Sequence, residues 1–362
     1  MSSIAIENID KNFRVETNLN EDDLCLYDTR KAPFDLYGLY NPREGEIFRR
    51  LPDDIAAATS EKVHVLAKNT AGGRVRFTTD SSYIAIKSIF TGFRHFPHMT
   101  LAGTAGFDLY IDEGGRSTYF STFMPPITMT DGYESIIKLG SRKKRSFTIH
   151  FPLYAEVASL YIGLQRDATL DHGAKYAYQR PVLYYGSSIT QGGCASRPGN
   201  CYTNIISAKL DCDHINLGFS GSAKGEDAIV NYMASLDFSV FVCDYDHNAP
   251  SLAHLKATHE KVYLTIRDAH PDTPIILVSR PDFDKDISGN ILRRDVVYTT
   301  YINAIGRGDK NLCYIDGERL FKDEYRDACT VDTVHPNDAG FVRMAEVIGY
   351  EIGRFLRRTK ES

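Results

Sequence analysis

Hydrophobic and polar positions follow two different rhythms along this chain. In the first half the period is two. Arg74-Val75-Arg76-Phe77-Thr78-Thr79 alternates, Asp80-Ser81-Ser82 turns, and Tyr83-Ile84-Ala85-Ile86-Lys87 alternates again. Successive strand side chains face opposite ways, so this text predicts strands with one buried face. Phe107-Asp108-Leu109-Tyr110-Ile111-Asp112, then Glu113-Gly114-Gly115, then Ser117-Thr118-Tyr119-Phe120 reads as a hairpin. Ile136-Ile137-Lys138-Leu139 and Ser146-Phe147-Thr148-Ile149-His150-Phe151 flank a basic turn, and a last strand is expected over Val157–Leu164. Short strands, frequent turns and few helical periods predict an antiparallel β-sandwich, jelly-roll-like in form.

The stretch from about Gln165 to Arg180 is polar, and the rhythm changes beyond it. Two domains are expected, over residues 1–172 and 178–362. In the second, apolar strand-like runs (Val182–Tyr185, His214–Leu217, Val240–Cys243, Pro274–Val278 and Leu312–Ile315) alternate with segments of helical spacing. In the last such segment Phe341, Met344, Ala345, Ile348, Ile352 and Phe355 form one apolar helix face, with Asn337 as its expected N-cap. Alternation of this kind predicts an α/β domain: a parallel sheet with helices on both faces.

Composition narrows the function classes. The 362 residues are 43% hydrophobic and 25% charged, the balance of a soluble globular protein. The net charge of -5 argues against nucleic acid as a partner. The one dense basic run, Arg142-Lys143-Lys144-Arg145, sits between two strands and reads as a solvated hairpin tip. Seven cysteines with no CxxC pair make a disulfide framework or zinc ribbon improbable. Met1-Ser2-Ser3-Ile4-Ala5-Ile6-Glu7-Asn8 lacks the basic and apolar parts of a signal peptide, and no membrane span is read. A cytoplasmic location is expected.

The chemistry gathers where the second-half strands end, the edge at which open α/β sheets bind ligands. Gly186-Ser187-Ser188 follows the first strand and Gly218-Phe219-Ser220-Gly221-Ser222 the second. Asp244-Tyr245-Asp246-His247-Asn248 follows the third, Ser279-Arg280-Pro281-Asp282 the fourth, and Asp332-Thr333-Val334-His335-Pro336 precedes the last helix. A serine hydroxyl is a weak nucleophile at neutral pH and needs a base with a group to orient it. Ser188 is the candidate nucleophile, His335 the base and Asp332 the orienting acid. The backbone N–H groups of Ser188 and Gly221 and the side-chain amide of Asn248 are the candidate oxyanion donors. Arg197, His247 and Arg280 are candidate substrate contacts. Two rivals are weaker. Ser220 begins a Gly-x-Ser-x-Gly elbow that Ser222 breaks. A metal site of Asp244, Asp246 and His247 is disfavoured because along a strand His247 would point away from the two acids.

These blocks, in this order, resemble the SGNH or GDSL hydrolases, named for their Ser, Gly, Asn and His. Gly186-Ser187-Ser188-Ile189-Thr190, Asn216-Leu217-Gly218-Phe219-Ser220-Gly221, the Asn248 loop and Asp332-Thr333-Val334-His335-Pro336 carry the likeness. Gly106-Phe107-Asp108-Leu109-Tyr110 also resembles the GxDLY motif of β-rich domains that precede such esterases. The resemblance implies a flavodoxin-like three-layer α/β domain with a Ser188-His335-Asp332 triad. Two departures stand out: Ser187 occupies the usual Asp position, and Asp246-His247-Asn248-Ala249 replaces Gly-x-Asn-Asp. The implied activity is hydrolysis of a short-chain, acetyl-type ester on a small molecule or oligosaccharide, without cofactor or metal. An acyltransferase using the same acyl-enzyme and a non-catalytic carbohydrate-binding protein are the alternatives. The sequence sets no oligomeric state.

Overall fold

The computed structural model describes residues 19–321 and 324–361, with the side chains of 359–361 left out. The stretch Met1–Asn8 read for a signal peptide lies outside the described residues. The first half holds strands β1 (Leu24–Asp28), β2 (Asp35–Tyr37), β3 (Arg74–Thr79), β4 (Tyr83–Phe93), β5 (Phe107–Glu113), β6 (Arg116–Phe123), β7 (Gly132–Lys138), β8 (Arg145–His150), β9 (Ala155–Gln165) and β10 (Leu170–His172). They make two antiparallel sheets, ordered β1-β9-β4-β7 and β10-β3-β8-β5-β6, with β2 paired to β3. Alternate residues of both sheets enter one core, where Phe77, Ile84, Ile86, Phe107, Leu109, Phe147, Ile149 and Ile162 are buried together. The basic run is a surface feature, with Arg142 on Asp167 and Asp80 and Lys144 on Asp171.

Three short helices belong to the same half: α1 (Asp53–Thr59), α2 (Glu61–Leu66) and α3 (Leu101–Ala105). The period-two reading gave none of them. Each is about two turns or less, too short for a helical repeat to register. The Ser60 side chain caps α2 through the Val63 N–H, and Thr100 caps α3 through the Gly103 N–H.

The second half is a parallel sheet in the order β12-β11-β13-β14-β15. The strands are β11 (Tyr178–Gly186), β12 (Cys212–Gly218), β13 (Val240–Asp244), β14 (Ile275–Val278) and β15 (Leu312–Ile315). Helices α4 (Ser188–Gln191), α5 (Tyr202–Leu210), α6 (Asp227–Ala234), α7 (Leu252–Ala269), α8 (Ile287–Gly306) and α9 (Asp338–Glu361) connect and flank them. Strand alternation feeds two cores. Leu183, Tyr185, Phe241, Cys243, Ile275 and Leu277 pack with α6, α7 and α8. Val182, Tyr184, Val240, Val242, Ile276 and Val278 pack with α5 and α9. A sheet buried on both faces explains why these strands read as unbroken apolar runs. The apolar face of α9 is buried as its spacing predicts, and the Gly340 N–H donates to the Asn337 side chain, the expected cap.

The halves are not separate bodies joined by a linker. Leu51, Ala56, Val63 and Ala67 pack into the α6–α8 core, and Ala71, Leu153 and Tyr154 into the α5–α9 core. Buried Arg50 donates to the carbonyls of Leu66 and Asn69 on its own side and of Asn216 and Gly218 on the other. Arg74, also fully buried, pairs with Asp213 and donates to the His214 carbonyl.

Candidate active site

Register brings the strand ends level. Gly186 of β11 lies opposite Gly218 of β12 and Asp244 of β13, so three loops leave the sheet side by side. At Gly186 a Cβ would sit 2.0 Å from the Thr190 hydroxyl and 2.7 Å from the Asp244 carbonyl oxygen. Only glycine lets the first turn of α4 double back this tightly. Ser187 caps that turn, accepting from the Ile189 N–H at 3.1 Å. Asp and Ser are comparable N-caps, so Ser187 caps this turn as an Asp could.

Ser188 opens α4 and is buried. Its Oγ lies 2.9 Å from His335 Nε2, and His335 Nδ1 lies 2.7 Å from Asp332 Oδ2. Asp332 also accepts from the backbone N–H of His335 at 2.7 Å and of Val334 at 3.1 Å. Partial burial would raise its carboxyl, but these hydrogen bonds and the His335 charge outweigh that and hold the pKa at about 2. An ionised Asp332 requires the proton on Nδ1, which leaves the Nε2 lone pair to accept from Ser188. A single Asp-x-x-His turn thus supplies both groups, with Thr333 at φ 68 bending it.

Gly221, at φ 63, turns the loop after β12. The Ser220 N–H donates to Gln191 Oε1, whose Nε2 donates in turn to Asn69 and the Leu153 carbonyl. Asn248 Nδ2 donates to the Phe219 carbonyl at 2.8 Å, tying the third loop to the second. Among the described residues no acceptor faces the N–H of Ser188 or Gly221 or the second amide hydrogen of Asn248. Ser188, Gly221 and Asn248 thus offer N–H donors from three neighbouring loops.

The three expected substrate contacts fall differently. Arg197 Nη1 donates to Asp108 and to the Tyr110 hydroxyl, both at 2.8 Å, and its guanidinium stacks over Tyr119. Arg280 makes a two-pronged pair with buried Asp282. Both arginines are thus paired with internal carboxylates. His247 Nδ1 also faces Asp282 at 3.2 Å, and its Nε2 has no partner among the described residues. Burial alone would raise Asp282, but His247 and Arg280 hold it low. Asp244 and Asp246 do not converge with His247: Asp244 accepts from Thr190 and Tyr202, and Asp246 pairs with Arg293.

Sequence reasoning missed the part played by the first half. The GxDLY segment lies on β5, and its Asp108 accepts from the Gly199 N–H at 2.7 Å, fixing the loop after α4. Tyr154 donates to the Ser188 carbonyl at 3.4 Å, and the His98 ring lies 5.6 Å from that of His335. A cavity of about 490 Å³ runs beside the loop after β12, lined by Lys62, Phe93, Phe96 and Tyr154 from one half and Ser220 and Ser222 from the other. Residues that meet across such sequence distances leave no local pattern to read.

Beside α4, burial raises the Asp244 pKa from 3.8 to about 7 against the hydrogen bonds of Thr190 and Tyr202. The folded state therefore favours the protonated acid. That contribution is complete below pH 3.8 and is lost as pH rises through about 7. Asp244→Asn should gain on the wild type with rising pH, so its thermal midpoint advantage is larger near pH 8 than near pH 5. An equal difference at both values would show that Asp244 does not titrate in this window.

The structure joins a β-rich first half to a parallel α/β second half, with Ser188, His335 and Asp332 hydrogen-bonded in line at the strand ends. The chain belongs to the SGNH/GDSL hydrolase family: residues 179–352 match the GDSL-like lipase/acylhydrolase family, and residues 25–170 match the N-terminus of the SGNH-hydrolase-type esterases. It is a carboxylic ester hydrolase. No curated protein matches it. Among solved structures it is similar to a Bacteroides ovatus protein assigned to the GDSL-like lipases, at 28% identity and a TM-score of 0.82 over 92% of this chain and 98% of that one. A salicylyl-acyltransferase from a tetracycline biosynthetic pathway aligns over the same shares at 19% identity and a TM-score of 0.77. An acetyl xylan esterase from Butyrivibrio proteoclasticus does so at 11% and 0.57. No helix among the described residues is long and apolar enough to cross a membrane.

Proposed function

We propose that the protein is a serine esterase that removes short acyl groups, acetyl foremost, from a carbohydrate. The observation that carries the mechanism is the unbroken line from Ser188 Oγ through His335 to Asp332. His335 Nε2 takes the Ser188 proton as Oγ attacks the ester carbonyl. The N–H groups of Ser188 and Gly221 and the Asn248 amide receive the oxyanion. His335 then gives its proton to the departing alcohol, and water, activated by the same imidazole, resolves the acyl-enzyme. No cofactor enters the scheme. His247 Nε2 is a candidate contact for the substrate.

The division into residues 1–172, a jelly-roll-like sandwich, and 178–362, a flavodoxin-like three-layer domain, belongs to this reading. So does a reducing, cytoplasmic setting, which the seven free cysteines favour. The sugar ester is favoured by the likeness to an acetyl xylan esterase. The likeness to an acyltransferase favours a second reading, in which an alcohol other than water takes the acyl group.

A chain-length series of nitrophenyl esters, followed by acetylated oligosaccharides, tests the substrate. A rate that rises with acyl length would overturn the acetyl assignment. Added alcohols that divert the acyl group at the expense of hydrolysis would favour the transferase. Asn248→Ala should lower kcat by about a hundredfold or more with little change in KM. An unchanged kcat would remove Asn248 from the oxyanion site.

A further inference from the structure

We propose that a thiophilic divalent cation, of zinc chemistry, binds between His98, Cys194 and His335 and arrests the enzyme reversibly. One nitrogen of each imidazole and the Cys194 Sγ lie within 4.8 Å of one another. They arrive from three separate places: the exposed loop between β4 and α3, the turn after α4, and the loop before α9. A tetrahedral zinc centre has bonds of about 2.0–2.3 Å, so its donors stand roughly 3.5 Å apart. The present spacing exceeds this by no more than about 1 Å, and His98 is the exposed member of the three.

Two of the donors are already held. Cys194 sits at φ 75 in a turn closed by hydrogen bonds from Gly193 N–H to the Ser188 carbonyl, 2.7 Å, and from Ala195 N–H to the Gly192 carbonyl, 3.1 Å. His335 Nδ1 is bound to the Asp332 carboxylate. A carboxylate behind one imidazole nitrogen is the arrangement that orients a metal-binding histidine, and it leaves Nε2 unprotonated, the form a metal needs. Two imidazoles and a thiolate prefer zinc-like ions to magnesium or calcium. On binding, the Cys194 thiol gives its proton to water, the two imidazoles contribute lone pairs, and solvent completes the shell beside exposed His98. No redox step is involved.

The cation occupies the lone pair that would accept the Ser188 proton. Inhibition therefore rests on the proposed role of His335, whereas binding does not. Titration of the full chain with Co²⁺ separates the two. Wild type and Ser188→Ala should both show a near-ultraviolet thiolate-to-cobalt charge-transfer band. Cys194→Ser should lose the band, and His98→Ala should weaken binding roughly tenfold or more. Zn²⁺ should inhibit ester hydrolysis by the wild type, a chelator should restore it, and Cys194→Ser should resist. Absence of the band in the wild type, or its persistence in Cys194→Ser, would overturn the site. If Cys194→Ser does not fold, undiminished Co²⁺ affinity in His98→Ala does the same. A normal band with no inhibition by Zn²⁺ would overturn the arrest and count against His335 as the base.

Discussion

Ser188→Ala should cut turnover by about a millionfold while the protein melts close to the wild-type temperature. The loss is large because the scheme has one nucleophile, and what survives comes from the oxyanion donors and substrate binding alone. The fold should persist because alanine suits the first turn of a helix, and the deleted hydroxyl makes one hydrogen bond, to a partly exposed imidazole. Such a bond contributes about 1 kcal/mol. The variant should also resist a serine-directed phosphonate that labels the wild type. Ser187→Ala is the control: it removes the α4 cap, costs about 1 kcal/mol of stability and leaves most of the activity. Wild-type turnover in Ser188→Ala, or its loss only in Ser187→Ala, would show that the nucleophile register is misassigned.

Arg50→Ala carries the second large effect, on stability. The Arg50 side chain is 2% exposed, and no carboxylate pairs with it among the described residues. Burial draws its pKa down to about 9, a sign of how unwelcome an unpaired cation is there. Four backbone carbonyls hold it, and its guanidinium lies 4.5 Å over the Phe219 ring. Truncation strands those carbonyls and opens a cavity where the halves meet. A loss on the order of 4–5 kcal/mol follows, close to the whole stability of an ordinary domain. Chemical denaturation should show it as a lower midpoint, and Arg50→Lys should recover only part, since an ammonium cannot span four acceptors. A midpoint unmoved in Arg50→Ala would show that the contact is dispensable. Because Asn216 and Gly218 lead into the Gly221 turn, any folded Arg50 variant should also lose kcat more than it gains KM.

Much of this architecture is legible in the residues. The five parallel strands announce themselves as apolar runs because both sheet faces are buried, and their ends are marked by Gly186, Gly218 and Asp244. Asp332 and His335 are legible because one turn carries both. What stayed hidden depends on distant partners. Arg197 reads as a free cation in a loop near the nucleophile, but its partner Asp108 is 89 residues upstream. Helices α1 and α2 are too short to show a period, and their apolar residues serve a core built by the other half. Composition marks a boundary near residue 172, while packing does not follow it.

The grip of Asp108 on the loop after Ser188 bears on how such a chain can be rebuilt. A front half exchanged with a relative's would arrive without its matched Arg197, Gly199 and Asp213 unless those travelled with it. Gly199 in particular tolerates no Cβ, which would fall 2.1 Å from the Tyr110 hydroxyl. The two halves should therefore behave as one inheritable unit: chimeras cut near residue 175 recover activity only when both sides of the clasp come from the same parent.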